Sequence, residues 1–80
     1  MEKVKAVGIL NCTPESKIPG YLVFGDGSQI QFLQAIPNCL EYDNRIVKVI
    51  AYVHECGKLS QCIGIGLTDI EKIELMKFLI

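Results

Sequence analysis

Residues 45–55 read Arg-Ile-Val-Lys-Val-Ile-Ala-Tyr-Val-His-Glu, and no other stretch restricts the fold as strongly. β-Branched and aromatic residues dominate it, and such side chains suit a pleated, half-buried surface. Val47, Val49, Ala51 and Val53 are all apolar, while the even positions mix Ile46 and Ile50 with Lys48, Tyr52 and His54. Alternation of this length predicts a strand with its odd face on a core. A lone strand buries nothing, so the chain must supply others to pair with it.

The same period recurs elsewhere. Residues 3–10 alternate Lys3 and Lys5 with Val4 and Ala6. Residues 21–24 and 29–35 flank Gly25-Asp26-Gly27-Ser28, and Asp-Gly between apolar runs marks a hairpin because its turn positions take positive φ. A two-residue turn at Asp26-Gly27 would pair Val23 with Ile30 and Tyr21 with Phe32, leaving Gln29 and Gln31 on the other face. A further strand is expected over residues 60–67, after a turn at Gly57-Lys58. An odd-length loop there sets Ile63, Ile65 and Leu67 beside Val53, Ala51 and Val49, with Cys62 across from His54 and Gly64 across from Tyr52. Two Pro-containing stretches, residues 11–20 and 36–39, read as surface loops.

The C-terminal segment carries helix signals. Thr68 with Glu71 three residues on forms a capping box, and Ile70, Ile73, Met76 and Ile80 recur near one face. Leu75, Phe78 and Leu79 make that helix apolar on more than one side, which implies cover from two directions. The expected fold is α+β: a curled antiparallel sheet of about five strands, at its most curled a partly open small barrel, packed by one C-terminal helix. At 80 residues it is a single domain, residues 1–80.

Composition narrows the function classes. Half of the residues are hydrophobic, which argues against disorder and exceeds what one small core uses. The net charge is −1 and the eight Lys and Arg are scattered, so no basic face is available to nucleic acid. The first residues lack the apolar core of a signal peptide, and no apolar stretch reaches the ~18 residues of a membrane span. The expectation is a cytoplasmic protein without membrane or nucleic-acid partners. Its four cysteines, Cys12, Cys39, Cys56 and Cys62, are then expected as free thiols.

The ligand-binding candidates are His54, Cys56 and Cys62, with Tyr52 beside them. His54 and Cys56 are two apart on a strand and share a face, and the preferred register adds Cys62. One imidazole and two thiols could take part in a zinc site, but His-x-Cys followed by five residues and Cys is no structural zinc spacing, and buried cysteine commonly acts as a small hydrophobe. No metal and no cofactor are therefore assigned. A Cys-His nucleophile lacks an orienting third group, because Glu55 points to the opposite face from His54, so no catalytic residue is assigned.

Asp26 and Ser28, together with the run from Ile63 to Ile80, resemble the c-di-GMP-binding PilZ barrels, which carry Asp-x-Ser-x-x-Gly on a strand and end in a helix. Gln31 stands where that motif has glycine, and no arginine pair precedes the first strand. The resemblance implies a barrel closed by a helix. Without the phosphate-holding arginines it does not bring the ligand.

These residues together point to a small non-enzymatic binding or interaction module that acts as a homo-oligomer. Its interface candidates are Ile46, Ile50, Leu75, Phe78 and Leu79. The alternative is a small-ligand or metal-binding barrel-like domain centred on the His54/Cys56/Cys62 hairpin face.

Overall fold

The computed structural model describes residues 2–13, 15, 18–56 and 64–77. Five strands and one short helix follow one another as β1 (Glu2–Cys12), β2 (Gly20–Val23), β3 (Gln29–Phe32), α1 (Cys39–Tyr42), β4 (Ile46–Glu55) and β5 (Ile65–Leu75). They close into a barrel in the order β1-β2-β3-β5-β4. All neighbours are antiparallel except β3 and β5, which run parallel through Gln31–Gly66 and Phe32–Leu67.

The alternation along β4 places its side chains as the sequence predicts. Val47, Val49 and Ala51 are fully buried and Val53 packs against them. Leu10, Leu22, Phe32 and Leu67 complete the barrel interior. Each buried side chain of this size contributes about 1.5–3 kcal/mol relative to exposure.

β1 serves two neighbours in succession. It pairs with β4 from Glu2 to Ile9 and with β2 from Ile9 to Cys12. The change of partner falls beside Gly8, where a Cβ would lie 2.6 Å from the Val23 carbonyl oxygen. Only a residue without a side chain lets β2 approach so closely at this bend.

The first hairpin departs from the expected register by one residue. Val23 faces Gln29, Leu22 faces Ile30 and Tyr21 faces Gln31. The loop is Gly25-Asp26-Gly27, closed by the Phe24 N–H donating to the Ser28 carbonyl at 2.8 Å. Gly27 takes φ 89°, the left-handed position that a three-residue loop requires. Asp26 accepts from the Ser28 N–H at 2.9 Å and from its hydroxyl at 2.6 Å, which selects this loop over the two-residue turn. The turn accounts for the Asp-x-Ser that resembles the PilZ motif.

The C-terminal helix is replaced by a strand, which corrects both the expected helix and the expected end of the 60–67 strand. β5 runs from Ile65 to Leu75, with Thr68 and Glu71 inside it instead of capping a helix. Residues 72–75 satisfy both periods: Ile73 and Leu75 face Val49 and Val47 inward, while Lys72 and Glu74 alternate outward. Closure decides between the two readings, because β3 and β4 each need a partner there and a barrel removes free edges. The phase change between Thr68 and Lys72 is absorbed by a bulge opposite Ala51, with Asp69 at φ 50°. Gln34 supports the bulge by accepting from the Ile70 N–H at 3.3 Å. Phe78, Leu79 and Ile80 lie outside the described residues.

The β4–β5 loop has the odd parity expected, but pairing resumes later. His54 faces Gly66, Val53 faces Leu67, and the Cys56 N–H donates to the Gly64 carbonyl at 2.8 Å. Tyr52 is opposite Thr68 and not Gly64. No described helix is long and apolar enough to cross a membrane.

Candidate binding faces of the barrel

The barrel register carries the outward side chains into rows that cross the strands. One row is apolar. Ile9 lies between Val23 on β2 and Ile46 on β4, and the Met76 N–H donates to the Ile46 carbonyl at 3.0 Å, which continues the row past the end of β5. Val7 adds to it from β1. Val7 is 47% exposed, Ile9 43% and Ile46 37%. Scattered apolar residues are normal on a surface, whereas a contiguous group marks a contact site.

A second row, two residues further along β1 and β2, is polar. Asn11 faces Tyr21, Tyr21 faces Gln31, Gln31 faces Gly66, and Gly66 faces His54. Their strand neighbours Leu10, Leu22, Phe32, Leu67 and Val53 point inward, so this row points out. Gln31 is only 9% exposed. Among the described residues its side chain makes no hydrogen bond, yet no buried side-chain nitrogen or oxygen lacks a partner there. Its stem is therefore packed while its amide reaches the surface. Over Gly66 lies the Leu33 side chain, within 2.5 Å of where a Cβ would be.

A third region is charged. Across β1, β4 and β5, Lys3 meets Glu71 at 2.8 Å, and Glu74 meets Lys48 at 3.2 Å and Lys72 at 2.9 Å. The Tyr52 hydroxyl donates to Glu71 at 3.2 Å. A hydrogen bond from Lys3 holds the Glu71 carboxyl below the usual carboxylate range, and one from Lys72, joined by Lys48, does the same for Glu74. Asp26 is lowered by its bond from the Ser28 hydroxyl.

Only part of the expected His54/Cys56/Cys62 constellation falls within the described residues. His54 is exposed and faces Gly66, Cys62 lies outside the described residues, and Tyr52 is engaged with Glu71. Cys56 is disulfide-bonded, so it has no thiolate to offer a metal or a carbonyl. Among the described residues no group of three His, Cys, Asp or Glu could hold a metal ion. Of the interface candidates, Ile46 and Ile50 point outward, but Leu75 packs against the core from the inner side of β5.

The cysteines correct a second expectation. Cys12 and Cys39 form a disulfide with Cα atoms 6.1 Å apart, tying the end of β1 to α1. Asp43 adds a bond from the Cys12 N–H at 2.9 Å. Reading both loops as separate surface features hid this pair; the barrel brings them together beneath one end. Beside the bridge is an apolar groove of about 290 Å³ lined by Cys12, Pro19, Ile36 and Leu40. Since disulfides persist in oxidising compartments, the cysteines no longer support a cytoplasmic setting.

Residue-by-residue reading also missed Asn11, Tyr21 and Gln31 as a group. Their identities were visible, but their alignment depends on the one-residue shift of the hairpin. Comparison with protein-family models, curated proteins and solved structures finds no match to this chain.

Proposed function

We propose that the protein is a small non-enzymatic binding module that acts as a homo-oligomer. The observation that carries this reading is the apolar row Val23–Ile9–Ile46–Met76, with Val7 beside it. Ile46 belongs to it, and Ile50 lies further along the same strand face. The barrel order leaves little open sheet edge, so association between copies falls to a face. Apolar faces of this kind suit an isologous contact between identical subunits.

Light scattering at high micromolar concentration tests the reading. The expected mass is a dimer or larger, and Ile9→Glu is expected to shift it toward the monomer without unfolding the barrel, since Ile9 points outward. A monodisperse wild-type monomer would remove the homo-oligomer from the reading.

A second reading, a barrel that binds a small ligand, is favoured by the polar row. The strand order, the parallel β3–β5 contact and the helix between β3 and β4 correspond to the five-stranded Greek-key barrels of OB type, which use the face of strands two and three for oligonucleotides or oligosaccharides. That correspondence is one of fold, and fold alone does not assign a ligand. On this second reading the site would lie away from the cysteines, on the face that holds Tyr21 and Gln31, with His54 at one end.

A further inference from the structure

We propose that the first half of β1 is a docking edge for an acidic, extended peptide segment of a partner protein. The inference goes beyond self-association, because it uses the main chain along the little open edge that the barrel leaves and not the apolar face.

Hydrogen-bond direction along β1 comes first. The Leu10 N–H donates to the Arg45 carbonyl at 3.0 Å on the β4 side, and the Thr13 N–H donates to the Pro19 carbonyl at 3.1 Å on the β2 side. Successive strand residues turn their backbone groups to opposite edges. Val4, Ala6 and Gly8 therefore bond toward β4, and Lys3, Lys5, Val7, Ile9 and Asn11 face the other way. β2 takes up Ile9 and Asn11, and its pairing begins only at Ile9. Lys3, Lys5 and Val7 are left with N–H and C=O groups that meet no strand among the described residues. All three residues are exposed.

The matching edge of β5 is covered. β3 pairs with β5 only at Gly66 and Leu67, but Gln34 accepts from the Ile70 N–H, and Pro37 and Tyr42 line a cavity together with Ile70 and Ile73. The segment around α1 thus lies along β5, as natural sheets cover their edges. No described segment does this for β1.

Charge and pattern select the occupant. Lys3 already pairs with Glu71, whereas Lys5, at the centre of the edge, has no carboxylate partner among the described residues. Val4 and Ala6 point inward and are half-buried against the core. A strand added here needs an acidic side chain beside Lys5 and apolar ones on its inner face beside Val4 and Ala6. Such strands draw affinity from main-chain bonds and specificity from alternate side chains. A second copy does not meet this need: the antiparallel register that uses the whole edge sets Lys5 against Lys5, and like charges directly opposite oppose pairing.

The test follows amide exchange and ¹⁵N shifts of the full chain during titration with a terminally blocked peptide of alternating Glu and Val. In the free protein the Lys3, Lys5 and Val7 amides are expected to exchange fast, while those of Val4, Ala6 and Gly8 are protected. The peptide is expected to saturate shifts at the first three and to protect them. The same peptide N-methylated at its Glu residues loses the donors that face β1 and is expected to bind at least about tenfold more weakly. Lys5→Glu, at an exposed position, is expected to weaken the Glu–Val peptide about fivefold, the scale of an exposed ion pair, and to favour a Lys–Val peptide instead. Equal binding of the N-methylated peptide excludes strand addition, and equal binding of the Lys–Val peptide to the wild type removes the acidic partner. Either result, or no saturation in the millimolar range, overturns the proposal. It also falls if the three amides are already protected in the free protein; protection that disappears on dilution would assign the edge to a second copy. Ile9→Glu and the solution mass report on the homo-oligomer separately, since Ile9 and Ile46 act through side chains on the face.

Discussion

Two outer faces of one barrel treat their polar groups in opposite ways. Across β1, β4 and β5, Lys3 and Tyr52 bond to Glu71, and Lys48 and Lys72 bond to Glu74. Across β1, β2 and β3, Asn11, Tyr21, Gln29 and Gln31 bond to no described side chain. Both faces are built on the same alternation, but the second is partly covered: Asn11 and Gln29 are exposed, Tyr21 is half-buried and Gln31 is buried. A polar group paired with its neighbour is held in place by it, whereas one with no described side-chain partner is left to solvent. The two faces also differ in what secures them. Long antiparallel pairing holds β4 to β5, while the end of β1 on the other face is tied down by the Cys12–Cys39 bridge.

Removing that bridge is the largest perturbation available to the comparison. The cysteines are 27 residues apart, and a closed loop of this size is expected to contribute about 3–4 kcal/mol. Cys12→Ala with Cys39→Ala should lower the urea midpoint accordingly and broaden amide signals near Asn11 and Tyr21 before those of β4. Thiol titration of denatured, unreduced protein should find neither Cys12 nor Cys39 reactive. Full reactivity of both would restore the free-thiol expectation and remove this difference between the faces.

A smaller effect is expected where the faces meet. Gly8→Ala places a methyl group against the Val23 carbonyl and forces β1 and β2 apart, at about 1–3 kcal/mol by the usual cost of overpacking. Denaturant unfolding measures the loss. Unchanged stability would mean that β1 changes partners without needing the close approach at Gly8.

The smallest effect belongs to the paired face itself. Glu71 and Glu74 have lowered carboxyl pKa values, so their pairs stabilise the fold above the unfolded glutamate value and lose that contribution as pH falls through the folded one. Lys3 is raised, chiefly by its hydrogen bond to Glu71, so its contribution is complete below the unfolded lysine value and lost as pH rises through the folded one. Carboxyl-carbon NMR should give Glu71 and Glu74 midpoints below the ordinary value of about 4.3. Glu71→Gln should return Lys3 toward its usual titration and leave the Asn11–Tyr21–Gln31 signals in place. Movement of those signals would show that the two faces are coupled.

Some of this was legible from the chain alone. The strand over residues 46–55, its buried odd face and the strand before residue 12 follow from local alternation, because a side chain on a pleated strand can point only two ways. The presence of a hairpin at Asp26-Gly27 follows from the backbone freedom of glycine. Its register does not, since the Asp26–Ser28 hydrogen bonds choose between loops that differ by one residue, and that choice decides whether Gln31 meets Tyr21. The PilZ-like tail fails for a related reason: residues 72–75 fit a helical and an extended period alike, and the bulge before them changes the phase of the strand.

Sequence by itself determined which segments could be strands and which of their faces were apolar, because both depend on neighbours one or two residues away. Tertiary structure decided the rest. Closing the barrel turned the expected C-terminal helix into β5, because β3 and β4 had backbone groups to pair and an isolated helix offered them nothing. The same closure brought Cys12 to Cys39 and aligned Asn11, Tyr21 and Gln31. Those contacts join residues distant in the chain, and no local propensity encodes the register that brings them together.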